Sequence, residues 1–314
     1  MKAVVLTGYG AVENLELRDV EEPQPGPGEL KVKVAGASIN PVDWKLRRGE
    51  LKSRMPLELP AVLGRDISGE VLAVGEGVDQ FEVGDRVMGL VAHGYAEVAV
   101  GRAEAFAKLP SEINLERAGG IPLVGLTGVQ LVEEAVDAQP GQTVLVTGAV
   151  GSVGRVAVFA AKRRGARVIA GVRARQRATA EKLEPDAIVA LDEPAEVKRL
   201  APVDGIADTV GGATLELVLG KLKPGGVLGT ALGPPPAANA LDIQVRAIFT
   251  HPDSTRLAEL GEAVVRGELV LPVEHRFPLH EARHGQVMAE NGGVGKVLLV
   301  PTGAPSHVTQ QAAG

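Results

Sequence analysis

The residues best suited to chemistry are three glycines, Gly148, Gly151 and Gly154, spaced three apart. An apolar, β-branched run from Thr143 to Val146 precedes them, and Val153, Val156, Ala157 and Ala160 follow at helical spacing. Strand, glycine turn and helix together make a seat for a dinucleotide pyrophosphate. Glycine allows a tight turn and close approach of backbone N–H groups, and the helix N-terminus adds unpaired donors and a positive dipole end. Ser152 and Val153 fall inside the motif and share the expected contact. A second strand, Arg167 to Val172, is followed by Arg173, Arg175 and Arg177, with no acidic residue before Glu181. An acid at this point would hold the 2′-hydroxyl of NAD, whereas a guanidinium matches a 2′-phosphate. Cations at a helix start oppose its dipole and call for another reason. The run therefore predicts NADPH, with Arg173 the first contact and Arg177 the next.

Other chemistries are poorly supplied. The chain has no cysteine, which excludes disulfides, thiolate zinc sites and a cysteine nucleophile. Its six histidines show no ligand pattern, and His280 and His284, four apart, read as a solvated helix face, so no metal is expected. A tyrosine–lysine proton-transfer pair is also missing, since Tyr95 is followed four residues later by Ala99. The net charge is -6 and the basic residues form no long block, which argues against nucleic acid. No apolar run is long enough to span a membrane. The N-terminal apolar run is short and soon meets Glu13, Glu16, Asp19, Glu21 and Glu22, unlike a secretory signal, so a cytoplasmic protein is expected.

Two kinds of element must position these residues. Up to about residue 115 the chain reads as β-rich. Apolar or alternating runs at Met1 to Leu6, Leu15 to Asp19, Glu29 to Ala37 and Ala61 to Val74 are separated by Gly/Pro clusters, which suggests a barrel-like fold. From about 116 helices and strands alternate. Strands are predicted at 143–147, 167–172, 187–191, 205–210, 226–232 and 245–250, with helices between them. That pattern gives a doubly wound, parallel six-stranded sheet with the glycine motif on its first strand. Ser254 to Arg266 reads as a further helix, Gly295 to Val300 as a strand returning to the first domain, and 304–314 as a flexible tail.

Several segments carry a closer likeness: Met1 to Val5, Pro25 to Val34, Ser38 to Trp44, Leu63 to Gly69, Val83 to Gly89, Gly94 to Glu97, Gly125 to Gly128, Thr147 to Gly154, Asp208 to Gly212, and Gly295 to Leu299. In order and spacing they resemble the medium-chain dehydrogenase/reductase superfamily, and within it the zinc-free quinone oxidoreductases related to zeta-crystallin. The likeness spans residues 1 to about 300. It implies an α/β protein with a GroES-like β-barrel catalytic domain, split over 1–115 and 267–303. A Rossmann NADPH-binding domain, 116–266, is inserted between the two parts, and the nicotinamide is held in a cleft between domains. Zinc-dependent members have a cysteine in the region of Asp43 and Gly-His-Glu where this chain has Gly64, Arg65 and Asp66.

The same likeness implies the site residues. Asn40 and Asp43 would line the nicotinamide end, although Asp43 reads equally as a helix cap, and Trp44 is either pocket wall or core. Thr127 would bond the nicotinamide end or a phosphate. Leu126 and Leu232 would supply apolar walls, and Val210 and Gly211 would end the fourth strand near the adenosine half. Relatives carry a tyrosine in the loop after Gly49; here it reads Glu50 to Met55, which leaves the proton donor open. Without zinc, alcohol oxidation loses the Lewis acid that stabilises an alkoxide, and a conjugated enone or quinone is a better substrate. The expected function is NADPH-dependent reduction of a quinone or α,β-unsaturated carbonyl. An enoyl-thioester reductase would use Lys45, Arg47, Arg48, Lys52 and Arg54 as a cationic patch, and a non-catalytic, crystallin-like NADPH-binding protein is the third reading. A homodimer is expected, because the sixth strand of the sheet leaves an open edge.

Overall fold

The computed structural model describes residues 1–301, so the tail expected over 304–314 lies outside the described residues. Residue contacts divide the chain into two compact units. One comprises Met1–Leu123, Pro252–Gly267 and the described residues from Leu271 on, 271–301; the other comprises Val124–His251 and Glu268–Val270.

The first unit begins with β1 (Lys2–Leu6), β2 (Leu15–Asp19), β3 (Glu29–Ile39), α1 (Pro41–Arg48), β4 (Ala61–Val62), β5 (Asp66–Val74), β6 (Arg86–Leu90), β7 (Val98–Arg102) and β8 (Phe106–Lys108). The single strand expected over Ala61 to Val74 is two, because the chain breaks at Gly64, where φ is +104° and Tyr95 packs against the backbone. A short α2 (Leu115–Ala118) leads to α3 (Pro122–Gln130) and a π-helical turn, Leu131–Val136. The second unit then runs through β9 (Thr143–Thr147), α4 (Ser152–Arg163), β10 (Arg167–Val172), α5 (Arg177–Glu181), β11 (Ala187–Ala190), α6 (Pro194–Arg199), β12 (Val203–Asp208), α7 (Gly212–Leu219), β13 (Leu222–Thr230) and β14 (Gln244–Ala247). Last come α8 (Ser254–Val265), β15 (Val273–Pro278), α9 (Ala282–Asn291) and β16 (Lys296–Val300).

In the second unit the sheet order is β11-β10-β9-β12-β13-β14, and every neighbouring pair is parallel. The order reverses beside β9, so a crevice opens at the carboxyl ends of β9 and β12, next to the glycine turn. Leu145, Ile169, Val189, Ile206 and Leu228 are buried from successive strands, as a sheet covered on both faces requires. The first unit holds a three-stranded sheet, β2-β1-β4, and a seven-stranded sheet ordered β15-β16-β3-β5-β6-β8, with β7 also pairing β3. This arrangement agrees with the GroES-like domain that the resemblance implies. Its core gathers Val32, Val34, Ile67, Val71, Tyr95, Phe106 and Leu299. Helix α8, placed before the 266 boundary by the sequence reading, falls in the first unit because Gly261 brings it against Met88, Pro110 and Ile113.

Candidate functional site

The glycine motif forms an open cradle in the second unit. Gly148 has φ +63°, and a Cβ there would lie 2.6 Å from Val210 Cγ2 and 2.8 Å from Thr209 Oγ1. At Gly154 a Cβ would lie 2.1 Å from the Gly148 carbonyl oxygen, so only glycine lets α4 come this close to the turn. Gly151 is the N-cap of α4 and has no side chain to cap it. The first-turn N–H groups of Ser152, Val153 and Gly154 thus lack a side-chain acceptor, as a phosphate seat needs.

Strand β12 ends at Asp208, two residues earlier than the sequence pattern suggests, so Val210 and Gly211 sit in the turn that follows. The Asp208 carboxylate draws the chain out of the ladder by accepting the N–H groups of Val210 and Gly211 at 3.2 and 3.0 Å. Gly211 in turn abuts Leu232, whose Cδ1 would lie 3.0 Å from a Cβ at that position. Val210 and Leu232 are 45% and 46% exposed, apolar surface beside the cradle. Leu126 is buried, and the Thr127 hydroxyl pairs with that of Thr250 at 2.7 Å.

The two arginines predicted to hold a 2′-phosphate differ. The Arg177 guanidinium is committed to Glu196, whose carboxylate also accepts the Ala190 N–H at 2.9 Å. Arg173 follows β10 directly and is exposed, and its guanidinium makes no hydrogen bond or ion pair among the described residues.

The first unit brings Asn40 and Asp43 together at the start of α1. Asp43 Oδ2 accepts the Asn40 N–H at 2.7 Å, half of a capping box. Of the two roles open to Asp43, the cap is the one its geometry displays. Asn40 is 1% exposed and its amide is fully engaged. Its Nδ2 donates to Ser38 Oγ at 3.0 Å and Asp66 Oδ1 at 3.2 Å, and its Oδ1 accepts from Lys296 Nζ at 2.5 Å. Asp66 further accepts from Ser38 Oγ at 2.6 Å and from the Leu123 N–H at 3.1 Å. Trp44 is half-buried against the apolar core.

Two carboxylates and one ammonium are therefore buried around one amide. Burial pushes the Asp43 carboxyl up to about 7, held back by the Asn40 N–H and reinforced by the negative Asp66. Burial also raises Asp66, opposed by Lys296 and its hydrogen-bond donors, and lowers Lys296, opposed by both carboxylates. The Tyr95 phenol is raised by burial and by Asp43 beside it. Among the described residues Asp43 Oδ1, Tyr95 Oη and Gln286 Nε2 are buried without a well-formed hydrogen bond, although the phenol lies close enough to both Asp43 and Gln286 to influence them.

Comparison with known proteins places this geometry. Residues 26–128 match the alcohol dehydrogenase GroES-like domain, and residues 152–251 match the zinc-binding dehydrogenase model. A quinone oxidoreductase of Pseudomonas aeruginosa is 30% identical over 96% of this chain and 99% of its own. The chain belongs to the quinone oxidoreductase branch of the medium-chain dehydrogenase/reductase family. The solved structure of the quinone oxidoreductase from Coxiella burnetii is 27% identical and superposes with a TM-score of 0.84, covering 96% of this chain and 99% of that one. An acryloyl-coenzyme A reductase of Metallosphaera sedula is 29% identical over 95% of this chain and 99% of its own length.

Members of this family bind nicotinamide cofactors, and the cradle at Gly148–Gly154 fits one: only glycine fits at Gly148 and Gly154, and the glycine N-cap leaves the first-turn N–H groups of α4 without a side-chain acceptor. Zinc does not fit. The chain offers no thiolate, and the buried Lys296 ammonium stands beside Asp66 and Asp43, where it would repel a divalent cation. Among the described residues no group of three or more His, Cys, Asp or Glu is arranged to hold a metal ion.

Sequence reasoning missed Gln286, and took Ser38, Asp208 and Lys296 only as parts of family segments. A lysine opening an otherwise apolar strand, and an acid closing one, were the available signals.

Proposed function

We propose that this oxidoreductase uses NADPH to reduce a quinone or an α,β-unsaturated carbonyl without zinc. The observation that supports the reading is Arg173, an exposed guanidinium just after β10 that is unpaired among the described residues, in a segment with no acidic residue before Glu181; the Asp192 carboxylate nearby accepts the Ala174 N–H at 2.7 Å. When bound, the reduced nicotinamide supplies a hydride to an electron-poor carbon. The N–H groups of Ser152, Val153 and Gly154 hold the pyrophosphate, Val210, Gly211 and Leu232 flank the adenosine half, and Arg173 takes the 2′-phosphate. Arg177, tied to Glu196, braces the segment behind Arg173. Asn40 and Asp43 fix the start of α1 and act as positioning residues for the catalytic domain.

The test is loss of nicotinamide absorbance with NADPH and NADH in parallel, against quinones, short enones and an enoyl thioester. Turnover with quinones or enones, faster with NADPH, is expected. Arg173→Ala should raise the NADPH KM about tenfold and leave that for NADH unchanged. Equal loss with both cofactors would refute the 2′-phosphate assignment. Binding of NADPH without turnover of any acceptor would favour the non-catalytic reading.

Enoyl-thioester reduction is the second reading, favoured by the acryloyl-coenzyme A reductase likeness. The cationic patch expected for it is smaller than the sequence suggests. Arg47 is buried against Gln286 and Glu290, and Arg48 pairs with Glu290, which leaves Lys45, Lys52 and Arg54. A homodimer formed across the open edge of β14, with Phe249 69% exposed just beyond it, completes the proposal. No helix among the described residues is long and apolar enough to cross a membrane, and a cytoplasmic setting is proposed on the same footing.

A further inference from the structure

We propose that Asp208 is the positioning residue of the nucleotide cradle: one buried carboxylate that joins the carboxyl ends of three adjacent strands and sets the turn facing Gly148. The inference rests on the cofactor-binding reading above.

Asp208 is 0% exposed, yet among the described residues no lysine or arginine pairs with it. Neutral donors satisfy it instead. Oδ1 accepts from Thr147 Oγ1 at 2.8 Å, from the Val210 N–H at 3.2 Å and from the Gly211 N–H at 3.0 Å. Oδ2 accepts from Thr230 Oγ1 at 3.1 Å. Thr147 closes β9, Asp208 closes β12 and Thr230 closes β13. The hydroxyls extend the joint: Thr147 Oγ1 accepts the Thr209 N–H at 3.0 Å, Thr209 Oγ1 donates to the Thr147 carbonyl at 2.7 Å, and Thr230 Oγ1 accepts the Leu232 N–H at 3.1 Å.

What this joint holds is the wall of the cradle. Val210 is fixed so closely to Gly148 that a Cβ on that glycine would lie 2.6 Å from it, and Leu232 is fixed over Gly211. The spacing between glycine turn and flanking turn is thus set before any ligand arrives, which is what preorganisation requires. Only an acceptor can collect three N–H or O–H donors at one oxygen. An asparagine in this position would keep that acceptor at Oδ1 and turn its NH2 toward Thr230 Oγ1, which retains a lone pair to accept it. Alanine would take the acceptor from four donors, Thr147 Oγ1, Thr230 Oγ1 and the N–H groups of Val210 and Gly211, and release the turn.

The test is calorimetric titration of NADPH and NADH into wild type, Asp208→Ala and Asp208→Asn, each well below its own melting temperature. Asp208→Ala should weaken NADPH binding about tenfold or more, and Asp208→Asn should stay within about threefold of wild type. Should Asp208→Ala not fold, Thr147→Val, which removes one Oδ1 donor, takes its place and should weaken binding more than Thr230→Val. Wild-type affinity in a folded Asp208→Ala or Thr147→Val protein, whatever its melting temperature, would overturn the proposal and leave a purely structural role. So would an Asp208→Asn protein as weak as Asp208→Ala. A wild-type protein that binds neither dinucleotide would instead refute the cofactor reading itself.

Discussion

Asp43 should make the stability of this protein fall as pH rises from 5 to 8. Its carboxyl is wholly buried, Oδ1 makes no well-formed hydrogen bond among the described residues, with the Tyr95 phenol close by, and its pKa is raised from 3.8 to about 7. A carboxyl whose folded pKa lies above its unfolded value binds its proton more tightly when folded. The stability it contributes is full below about pH 4 and is lost as pH climbs through about 7. For a rise from 3.8 to about 7, linkage gives about 2.7 kcal/mol at pH 5 and about 0.1 kcal/mol at pH 8. Asp43→Asn removes the titration and keeps the cap, since an amide oxygen can still accept the Asn40 N–H and its NH2 faces the neighbouring Tyr95 Oη. Urea unfolding of both proteins at half-unit pH steps separates this group from all others, because only their difference matters. The stability of wild type relative to Asp43→Asn should fall by about 2 to 3 kcal/mol between pH 5 and pH 8. Curves that stay parallel over that range would show that Asp43 is already ionised, with Lys296 holding it so, and would refute burial as the dominant effect.

Two further outcomes follow from the same geometry. Gly154→Ala puts a methyl group 2.1 Å from the Gly148 oxygen and 2.8 Å from the Ala149 Cα, both backbone atoms. A loss of about 1–3 kcal/mol in chemical denaturation, with weaker dinucleotide binding, is expected, and an unchanged protein would contradict the close approach. Lys296→Met strips Asn40 Oδ1 of its donor and leaves Asp66 without a cation, at a cost of about 3–5 kcal/mol in the same assay. Adding Asp66→Asn should recover part of that loss; strictly additive losses would show that the two groups do not interact.

The nucleotide-binding half was legible because its signals are local. Gly148, Gly151 and Gly154 are readable in sequence since the turn and the helix start are built from consecutive residues, and β9 and α4 lie where the apolar periodicity put them. The alternation of strand and helix fixed the parallel sheet, because crossovers of that length leave few other topologies. The arginine run pointed to one end of β10 and put Arg173 ahead of Arg177, but only the fold shows that Arg177 is tied to Glu196, nineteen residues away, while Arg173 has no partner among the described residues. Likewise β12 stops at Asp208 and not at Val210, because Asp208 finds Thr147, sixty-one residues earlier in the chain. The polar cluster of the catalytic domain was the least legible. Ser38, Asn40, Asp43, Asp66 and Lys296 come from β3, α1, β5 and β16, and Asn40 and Lys296 are 256 residues apart. Residue types told that Asn40 could donate and accept; which atoms claim those bonds, and that Asp43 is buried enough to hold a proton near neutral pH, is settled only when distant strands pack and exclude water.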